Sequence, residues 1–126
     1  MRKHRILVLD DDDQTREYFR DFLESTEFEV HDASNTPDAL EALEEQAAAN
    51  KPIDLLILDY YVDVPFDNML ACIRELAPQV PIILVTGKQP KDLEAIRTQW
   101  GIRGHLLKPL QDPTALLSMI AANIDR

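Results

Sequence analysis

Short apolar segments alternate with longer amphipathic segments along the chain, five times in succession. The apolar segments cover residues 6–9, 28–33, 55–58, 82–85 and 105–107. The first, third and fourth are apolar at every position, which is typical of strands that are buried on both faces of a sheet. The second alternates apolar and polar residues, and this pattern indicates an edge strand with one exposed side.

Between these segments, apolar residues recur at helical spacing and predict five helices. Thr36 is interpreted as the N-cap of the second helix, with Pro37 at its first position. The fourth helix is predicted to end at Gly101 and the fifth to begin at Asp112. The apolar residues that mark the five stripes are Tyr18, Phe19, Phe22 and Leu23; Ala39, Leu40 and Leu43; Met69, Leu70, Ile73 and Leu76; Leu93, Ile96 and Trp100; and Leu116, Leu117 and Ile120.

Strands that alternate with helices predict βαβ units, and right-handed crossovers place such strands side by side in a parallel sheet. The helices then cover both faces of the sheet. The pattern contains no internal repeat or linker of low complexity. We therefore predict a single three-layer α/β domain over residues 1–126.

The charge of the chain narrows the range of partners. The sequence carries 23 acidic and 13 basic residues, for a formal net charge of −10. Binding to nucleic acid or to an anionic membrane rests on clustered Lys and Arg, so this balance disfavours both. The basic start at residues 2–5 is too short to serve as a nucleic-acid arm.

The single cysteine, Cys72, excludes an intrachain disulfide and is typical of a reducing compartment. We interpret Cys72 as a small core residue on the third helix. The apolar run at residues 6–9 is too short for a secretory signal, and no stretch is long enough to cross a bilayer. We therefore expect a cytoplasmic protein.

Polar residues that could take part in catalysis or ligand binding lie at the ends of the predicted strands. They are Asp10 and Asp11 after the first strand, Asp59 after the third, Thr86 after the fourth and Lys108 after the fifth. The carboxyl ends of parallel strands lie at one edge of a sheet, where ligands bind, so we expect these side chains to meet there. Three neighbouring carboxylates repel one another unless a divalent cation lies among them. Mg²⁺ is the expected cation, because it binds carboxylates and shares its remaining positions with water and phosphate.

Asp59 stands apart from the acidic pair and is interpreted as a nucleophile that forms an acyl phosphate. Lys108 and Thr86 would supply the cation and the hydroxyl donor that a phosphoryl group needs. Each residue taken singly is open to an ordinary explanation, since acidic residues after strands often cap helices. Five suitable residues at four strand ends favour a phosphoryl-transfer site over coincidence.

Four motifs carry a resemblance to a known family. They are the acidic segment at residues 6–12, the segment at 54–59 that ends in Asp59, the segment at 81–87 that contains Thr86, and the pair Lys108-Pro109. In this order and spacing, the chain resembles the receiver domains of bacterial response regulators over essentially its whole length. The resemblance implies a flavodoxin-like, doubly wound sheet of five parallel strands in the order 2-1-3-4-5, with five helices.

The resemblance also implies the roles of the residues. Mg²⁺ would be held by Asp11, Asp59 and the backbone carbonyl of Tyr61, with Asp10 acting largely through water. Thr86 and Lys108 would contact the phosphoryl group on Asp59. Beyond its own phosphorylation and dephosphorylation, the chain would not act as an enzyme.

The partners follow from the same resemblance. A sensor histidine kinase or a phosphotransfer protein would supply the phosphoryl group. Output would pass to a downstream protein, or to a C-terminal output domain if the chain is part of a longer regulator. The family's usual contact surface, the fourth and fifth helices, would also serve a homodimer.

The chain departs from the family pattern in two places. After the phosphoacceptor the family usually has Asp-x-x-Met-Pro-x-x-Asp-Gly, whereas here the proline is displaced to Pro65 and the glycine is missing. The bulk of Tyr61, two residues past Asp59, is expected to slow the loss of phosphate. In the family, phosphorylation draws the residue that matches Thr86 toward the phosphate, and an aromatic residue on the fifth strand then turns inward. His105 occupies the position of that aromatic residue, so either His105 makes the inward turn or output does not use it.

Two other functions would also be compatible with parts of this sequence. The irregular loop at residues 62–68 and His105 motivate a protein-interaction module that keeps the receiver fold but works without phosphorylation. A Mg²⁺-dependent phosphatase with an Asp nucleophile is disfavoured. That class normally uses a second Asp as general acid two positions after the nucleophile, where this chain has Tyr61.

Overall fold

The computed structural model describes residues 3–124, which form five strands and five helices in strict alternation. The strands are β1 (Arg5–Leu9), β2 (Glu29–Ala33), β3 (Leu55–Leu58), β4 (Ile82–Thr86) and β5 (Ile102–Leu107). The helices are α1 (Asp13–Ser25), α2 (Thr36–Ala48), α3 (Phe66–Leu76), α4 (Leu93–Trp100) and α5 (Pro113–Ile124). All strand pairs are parallel, in the order β2-β1-β3-β4-β5. The predicted sheet, its strand order and the five helices are therefore confirmed.

The central strands β1, β3 and β4 are apolar except at Arg5, which begins β1, and Thr86, which ends β4, because each of their faces meets a helical layer. Leu7 of β1 and Leu56 of β3 belong to the core that α2, α3 and α4 cover. Ile6 and Ile57 point the other way, into the core beneath α1 and α5. Successive residues of a strand face opposite sides of the sheet, so a strand between two cores is apolar wherever helices cover both of its faces.

The fifth strand begins three residues before His105, at Ile102, and is longer than predicted. Ile102 and Gly104 are buried, whereas Arg103 between them is exposed, as expected for the edge strand of the sheet. A Cβ atom at Gly104 would lie 2.9 Å from Sδ of Met119 on α5, which accounts for glycine at this position. Thr86 is the last residue of β4 and does not follow the strand.

The second helix is capped by Asn35 and not by Thr36, so that prediction was wrong by one residue. Oδ1 of Asn35 accepts a hydrogen bond of 2.9 Å from the backbone N–H of Asp38. The backbone of Asn35 is extended, as an N-cap requires, and Thr36 is the first helical residue. Both residue types are good caps, but the hydroxyl of Thr36 donates a hydrogen bond to Asp63.

We expect Asn35→Ala to lower the free energy of unfolding by about 1 kcal/mol, because the amide of Asp38 loses its acceptor. Urea denaturation followed by circular dichroism measures this change. Asp92→Ala is a suitable control, since Asp92 is the N-cap of α4 but makes no side-chain cap hydrogen bond. Equal losses in the two variants would contradict a capping role for Asn35.

The third helix buries Met69, Leu70 and Ile73, whereas Cys72 lies on its exposed side. The interpretation of Cys72 as a core residue was therefore wrong, because the helical turn carries it away from the buried stripe. Trp100 packs against the core at the end of α4, and its indole N–H donates a 3.0 Å hydrogen bond to Asp67 near the start of α3. Within residues 3–124, no helix combines the length and the hydropathy needed to span a bilayer.

Candidate functional site

The predicted polar residues meet at the carboxyl edge of the sheet. Backbone hydrogen bonds extend the sheet ladder into this edge and fix the residues there. The amide of Asp59 donates to the carbonyl of Leu9 at 3.0 Å, and the amide of Lys108 donates to the carbonyl of Thr86 at 2.9 Å. The positions of these side chains are thus set by the sheet itself. The peptide bond between Lys108 and Pro109 is cis.

Asp59 is only 7% exposed, and donors engage both of its carboxylate oxygens. Oδ1 accepts hydrogen bonds from the Thr86 hydroxyl at 2.7 Å and from the backbone N–H of Tyr61 at 3.2 Å. Oδ2 accepts a hydrogen bond of 3.0 Å from Nζ of Lys108. The carboxylate is therefore oriented by three groups, two of which the sequence predicted to act on a phosphoryl group.

Lys108 bridges two buried carboxylates. Its Nζ lies 2.7 Å from Oδ2 of Asp10 and 3.0 Å from Oδ2 of Asp59. Burial raises the pKa of Asp10, although the hydrogen bond from Lys108 opposes this change. Burial by itself would lower the pKa of Lys108, but the hydrogen bonds to Asp10 and Asp59 raise it above its ordinary value. The ammonium thus stays charged and partly neutralises the two carboxylates.

The raised pKa of Asp10 predicts a pH dependence of stability. The folded chain binds the Asp10 proton more tightly than the unfolded chain, so stability falls as the pH rises from the ordinary value of 3.8 through the folded pKa. We expect Asp10→Asn to lack this decline. The stability of the unmodified chain relative to the variant should therefore decrease across that window. Urea denaturation at a series of pH values tests this, and a difference that is constant with pH would contradict it.

Three carboxylates form a cluster that suits a divalent cation. One oxygen from each of Asp10, Asp11 and Asp59 lies within 4.8 Å of the others. Asp10 and Asp59 are buried and Asp11 is exposed, so the cluster opens to solvent at one side. Hard carboxylate oxygens with an open side fit Mg²⁺, which keeps several of its waters. The main chain of Tyr61 lies beside this cluster, because its amide contacts Asp59.

His105 is not part of this constellation. It lies half-buried on β5, in register with Leu84 of β4. Among the residues the structure describes, no hydrogen bond or ion pair to the His105 side chain is found. Its switch role stays a prediction.

Arg16 was not predicted as part of the site, yet its guanidinium contacts the edge of the sheet. It donates a hydrogen bond of 2.6 Å to the backbone carbonyl of Asp10 and forms an ion pair with Asp13. Arg16 stands three residues after Asp13, a spacing that predicts the helical ion pair. The contact with the Asp10 carbonyl has no such signature, since it depends on how α1 leaves the sheet.

A cleft of about 470 Å³ opens beside Lys108. Thr15, Tyr18 and Phe19 of α1 line one side, and Lys108, Pro109 and Leu110 line the other. Tyr18 is 40% exposed and stacks on Phe22 with ring centroids 6.0 Å apart. The cleft gives an approach to the site along a mainly apolar surface.

The family model described as response regulator receiver domain matches residues 6–121. The chain belongs to this family. Receiver domains of this kind occur in the response regulators of two-component systems. The match spans every strand and helix that carries the site, from Ile6 of β1 into α5.

Individual relatives agree with the family match. The receiver domain is 33% identical over 116 residues to the transcriptional regulatory protein AruR of Pseudomonas aeruginosa, covering 90% of this chain and 46% of that protein. It is 28% identical over 118 residues to the transcriptional regulatory protein SrrA of Staphylococcus aureus, covering 94% of this chain and 47% of that protein. The chain thus spans about half the length of these curated relatives.

Solved structures show the same fold. A CheY-like response regulator receiver domain protein from Methanospirillum hungatei superposes with a TM-score of 0.84 at 26% identity, covering 98% of this chain and 94% of that one. A response regulator receiver domain from Clostridium thermocellum gives a TM-score of 0.84 at 26% identity, covering 98% and 95%. The strand order and layers of this receiver domain are therefore those of the family.

Proposed function

We propose that this receiver domain accepts one phosphoryl group on Asp59 in the presence of Mg²⁺, and that the modification changes the binding of a partner. The observation that carries the proposal is the environment of Asp59. Its buried carboxylate is oriented by Thr86 and Lys108, and two further carboxylates lie close enough to share a cation with it. This arrangement matches the needs of phosphoryl transfer, which are positioning and neutralisation of charge.

In the proposed reaction, a carboxylate oxygen of Asp59 attacks the phosphorus of a phosphohistidine on the donor protein. A P–O bond forms and the P–N bond breaks, and the leaving imidazole keeps the electron pair and takes up a proton. Asp11, Asp59 and the Tyr61 carbonyl would hold Mg²⁺, with Asp10 acting largely through water, and the bound cation would supply positive charge to neutralise the phosphoryl oxygens. The ammonium of Lys108 and the hydroxyl of Thr86 already point at Asp59, so a short movement lets them donate to phosphoryl oxygens.

The same contacts suggest how the modification is transmitted. Before reaction, Thr86 and Lys108 are engaged by the carboxylate oxygens of Asp59. A phosphoryl group adds nearly two negative charges and strong acceptors, so both donors turn toward it. Thr86 ends β4 and leads into the loop before α4, so its movement biases that region between two pre-existing arrangements. His105 on the neighbouring strand either follows this movement or is not used in output.

The proposed donor is a sensor histidine kinase or a phosphotransfer protein, which would approach along the cleft between α1 and Lys108. The proposed output is a downstream protein or an output domain, because the curated relatives are transcriptional regulators about twice as long as this chain. Within this proposal, residues 1–126 act as one cytoplasmic receiver domain. Contact between copies through α4 and α5 would give a homodimer.

The direct test is to incubate the purified chain with Mg²⁺ and acetyl phosphate and to record its intact mass. The proposal expects one added phosphoryl group, lost when Mg²⁺ is chelated. Beryllofluoride with Mg²⁺, followed by NMR, covers the case in which only a protein donor is accepted. Failure of both reagents would overturn the proposal in favour of an interaction module that works without phosphorylation.

Tyr61 gives a prediction about the lifetime of the acyl phosphate. Its side chain is 50% exposed and packs edge-on against Tyr60, with ring centroids 4.7 Å apart. A bulky ring two residues past the acceptor hinders water, so we expect Tyr61→Ala to lose phosphate faster, by about tenfold if the hindrance is worth about 1.4 kcal/mol. Intact-mass measurements over time give the rate. Tyr61→Phe is the matched control and should keep the slow rate, and equal rates in all three proteins would contradict the idea.

A further inference from the structure

The carboxylate of Asp63 joins the loop after β3 to the start of α2. Its oxygens accept hydrogen bonds of 3.0 and 3.1 Å from the backbone N–H of Thr36. The hydroxyl of Thr36 donates a further hydrogen bond of 2.7 Å to Oδ1. Thr36 is only 5% exposed, and it lies 27 residues from Asp63 in the sequence. One side chain thus holds two segments together through the amide and the hydroxyl of a single residue.

Asp63 is not one of the clustered metal-binding carboxylates. Within the described residues, the carboxylate group suited to a metal consists of Asp10, Asp11 and Asp59. The oxygens of Asp63 instead face the N-terminus of α2, where an amide without an intrahelical partner attracts negative charge. Desolvation by itself would raise the pKa of Asp63, but the hydrogen bonds from Thr36 and from nearby backbone amides together lower it below its ordinary value. The contact with α2 is therefore the role that the geometry gives this carboxylate.

The loop between Asp59 and Asp63 is held at both ends. At one end, the amide of Tyr61 donates to Asp59. At the other end, Asp63 is bound to Thr36. Between them, the ring of Tyr60 stacks on Phe66 with centroids 4.6 Å apart. Asp63 stands where the family pattern has proline, a residue that stiffens the chain by fixing φ.

We infer that Asp63 is a positioning residue, whose bonds to Thr36 replace the missing proline and hold the Tyr61 carbonyl in place for Mg²⁺. This inference rests on the proposed function, because it assigns a role within the same metal site. Replacing a group that orients a metal ligand, but does not itself touch the metal, typically lowers the metal affinity by about ten- to a hundredfold. Tyr60, Val62 and Val64 pack against the core from one side of this loop, whereas Tyr61 and Asp63 are exposed. The bonds from Asp63 to Thr36 therefore fix the exposed side of the loop, where Tyr61 lies.

The test measures Mg²⁺ affinity by NMR titration of the full chain, following the amides of Asp59 and Tyr61. We expect Asp63→Ala to weaken Mg²⁺ binding by about tenfold. Asp63→Asn, which keeps an acceptor and the side-chain size, should weaken it less. Thr36→Val should weaken Mg²⁺ binding less than Asp63→Ala does, because the hydroxyl is removed and the amide remains. Thr36→Ser keeps both donors and should bind Mg²⁺ as tightly as the unmodified chain.

A second Asp–Thr pair separates positioning from general stabilisation. At the start of α5, Asp112 accepts hydrogen bonds from the amide of Thr114 at 3.0 Å and from its hydroxyl at 2.5 Å. Asp112→Ala removes bonds of the same kind at a helix away from the loop. It should lower the unfolding temperature without changing Mg²⁺ affinity.

Each outcome decides between the ideas. If Asp63→Ala binds Mg²⁺ as tightly as the unmodified chain, the inference is overturned while the proposed function stands. The same holds if Asp112→Ala weakens binding as much as Asp63→Ala. If the unmodified chain itself shows no Mg²⁺ response, and Asp59→Asn does not differ from it, both the inference and the proposed metal site fail.

Discussion

Asp59→Asn is expected to abolish phosphorylation of the chain while leaving the fold intact. The amide has nearly the same size as the carboxylate, and its oxygen can still accept the hydrogen bond from Thr86. The amide lacks the charge and the free oxygen that attack phosphorus. Loss of one negative charge would also weaken the proposed cation site that Asp59 shares with Asp10 and Asp11. Both effects act in the same direction, so no residual phosphorylation is expected.

Intact mass after exposure to acetyl phosphate and Mg²⁺ measures this result. Asp21→Asn is a matched control, because it makes the same chemical change on the exposed side of α1 and should be phosphorylated fully. Circular dichroism of both variants checks the fold. If Asp59→Asn still gained a phosphoryl group, the acceptor would lie elsewhere, and the assignment of Asp59 would be wrong.

Lys108→Ala should have the second largest effect, on stability as well as on switching. Without the ammonium, the carboxylates of Asp10 and Asp59 are left buried near each other with no cation. Breaking such a pair costs about 2 kcal/mol here, less than for a fully buried pair because the Lys108 side chain is 22% exposed. This loss of folding stability applies at pH values below the raised pKa of Lys108, where the ammonium of the unmodified chain is charged.

The same variant also predicts an effect of Mg²⁺ on stability. In the proposed site, Mg²⁺ would use the carboxylates that Lys108 contacts, so the variant should bind Mg²⁺ at least as tightly as the unmodified chain. Added Mg²⁺ should therefore recover much of the lost stability without restoring partner binding. Urea denaturation with and without Mg²⁺ measures the effect. Lys108→Arg keeps the charge and Lys88→Ala changes an exposed lysine, and a loss in Lys88→Ala equal to that in Lys108→Ala would contradict the argument.

The strands of the sheet were predictable where burial on both faces restricts the sequence to apolar residues. β1, β3 and β4 lie between two cores, so their positions are apolar apart from Arg5 and Thr86 at two strand ends, and the strands are visible as continuous runs. The edge strand β5 was predicted too short because Arg103 and Gly104 interrupt the apolar pattern. The cap of α2 was misplaced because consecutive residues were suitable, and only the backbone angles distinguish Asn35 from Thr36.

The site was predictable as a set of strand ends, since parallel strands carry their last residues to one edge. The structure brings Asp10, Asp59, Thr86 and Lys108 together, and Asp11 completes the carboxylate cluster. Their roles in phosphoryl transfer stay predictions. The bond between Asp63 and Thr36 was beyond sequence reasoning, because it joins the loop after β3 to the start of α2, and the path of that loop depends on packing and follows no periodic rule.

The hydrogen bond between Trp100 and Asp67 has a practical consequence. Trp100 is the only tryptophan of the chain, and it ties α4 to the start of α3 while packing against the core. Indole fluorescence depends on hydrogen bonding and on contact with water, so its emission reports on this helix contact without any added label. A rearrangement confined to the Asp59 edge would leave the spectrum unchanged, whereas displacement of α4 would move the emission to longer wavelength.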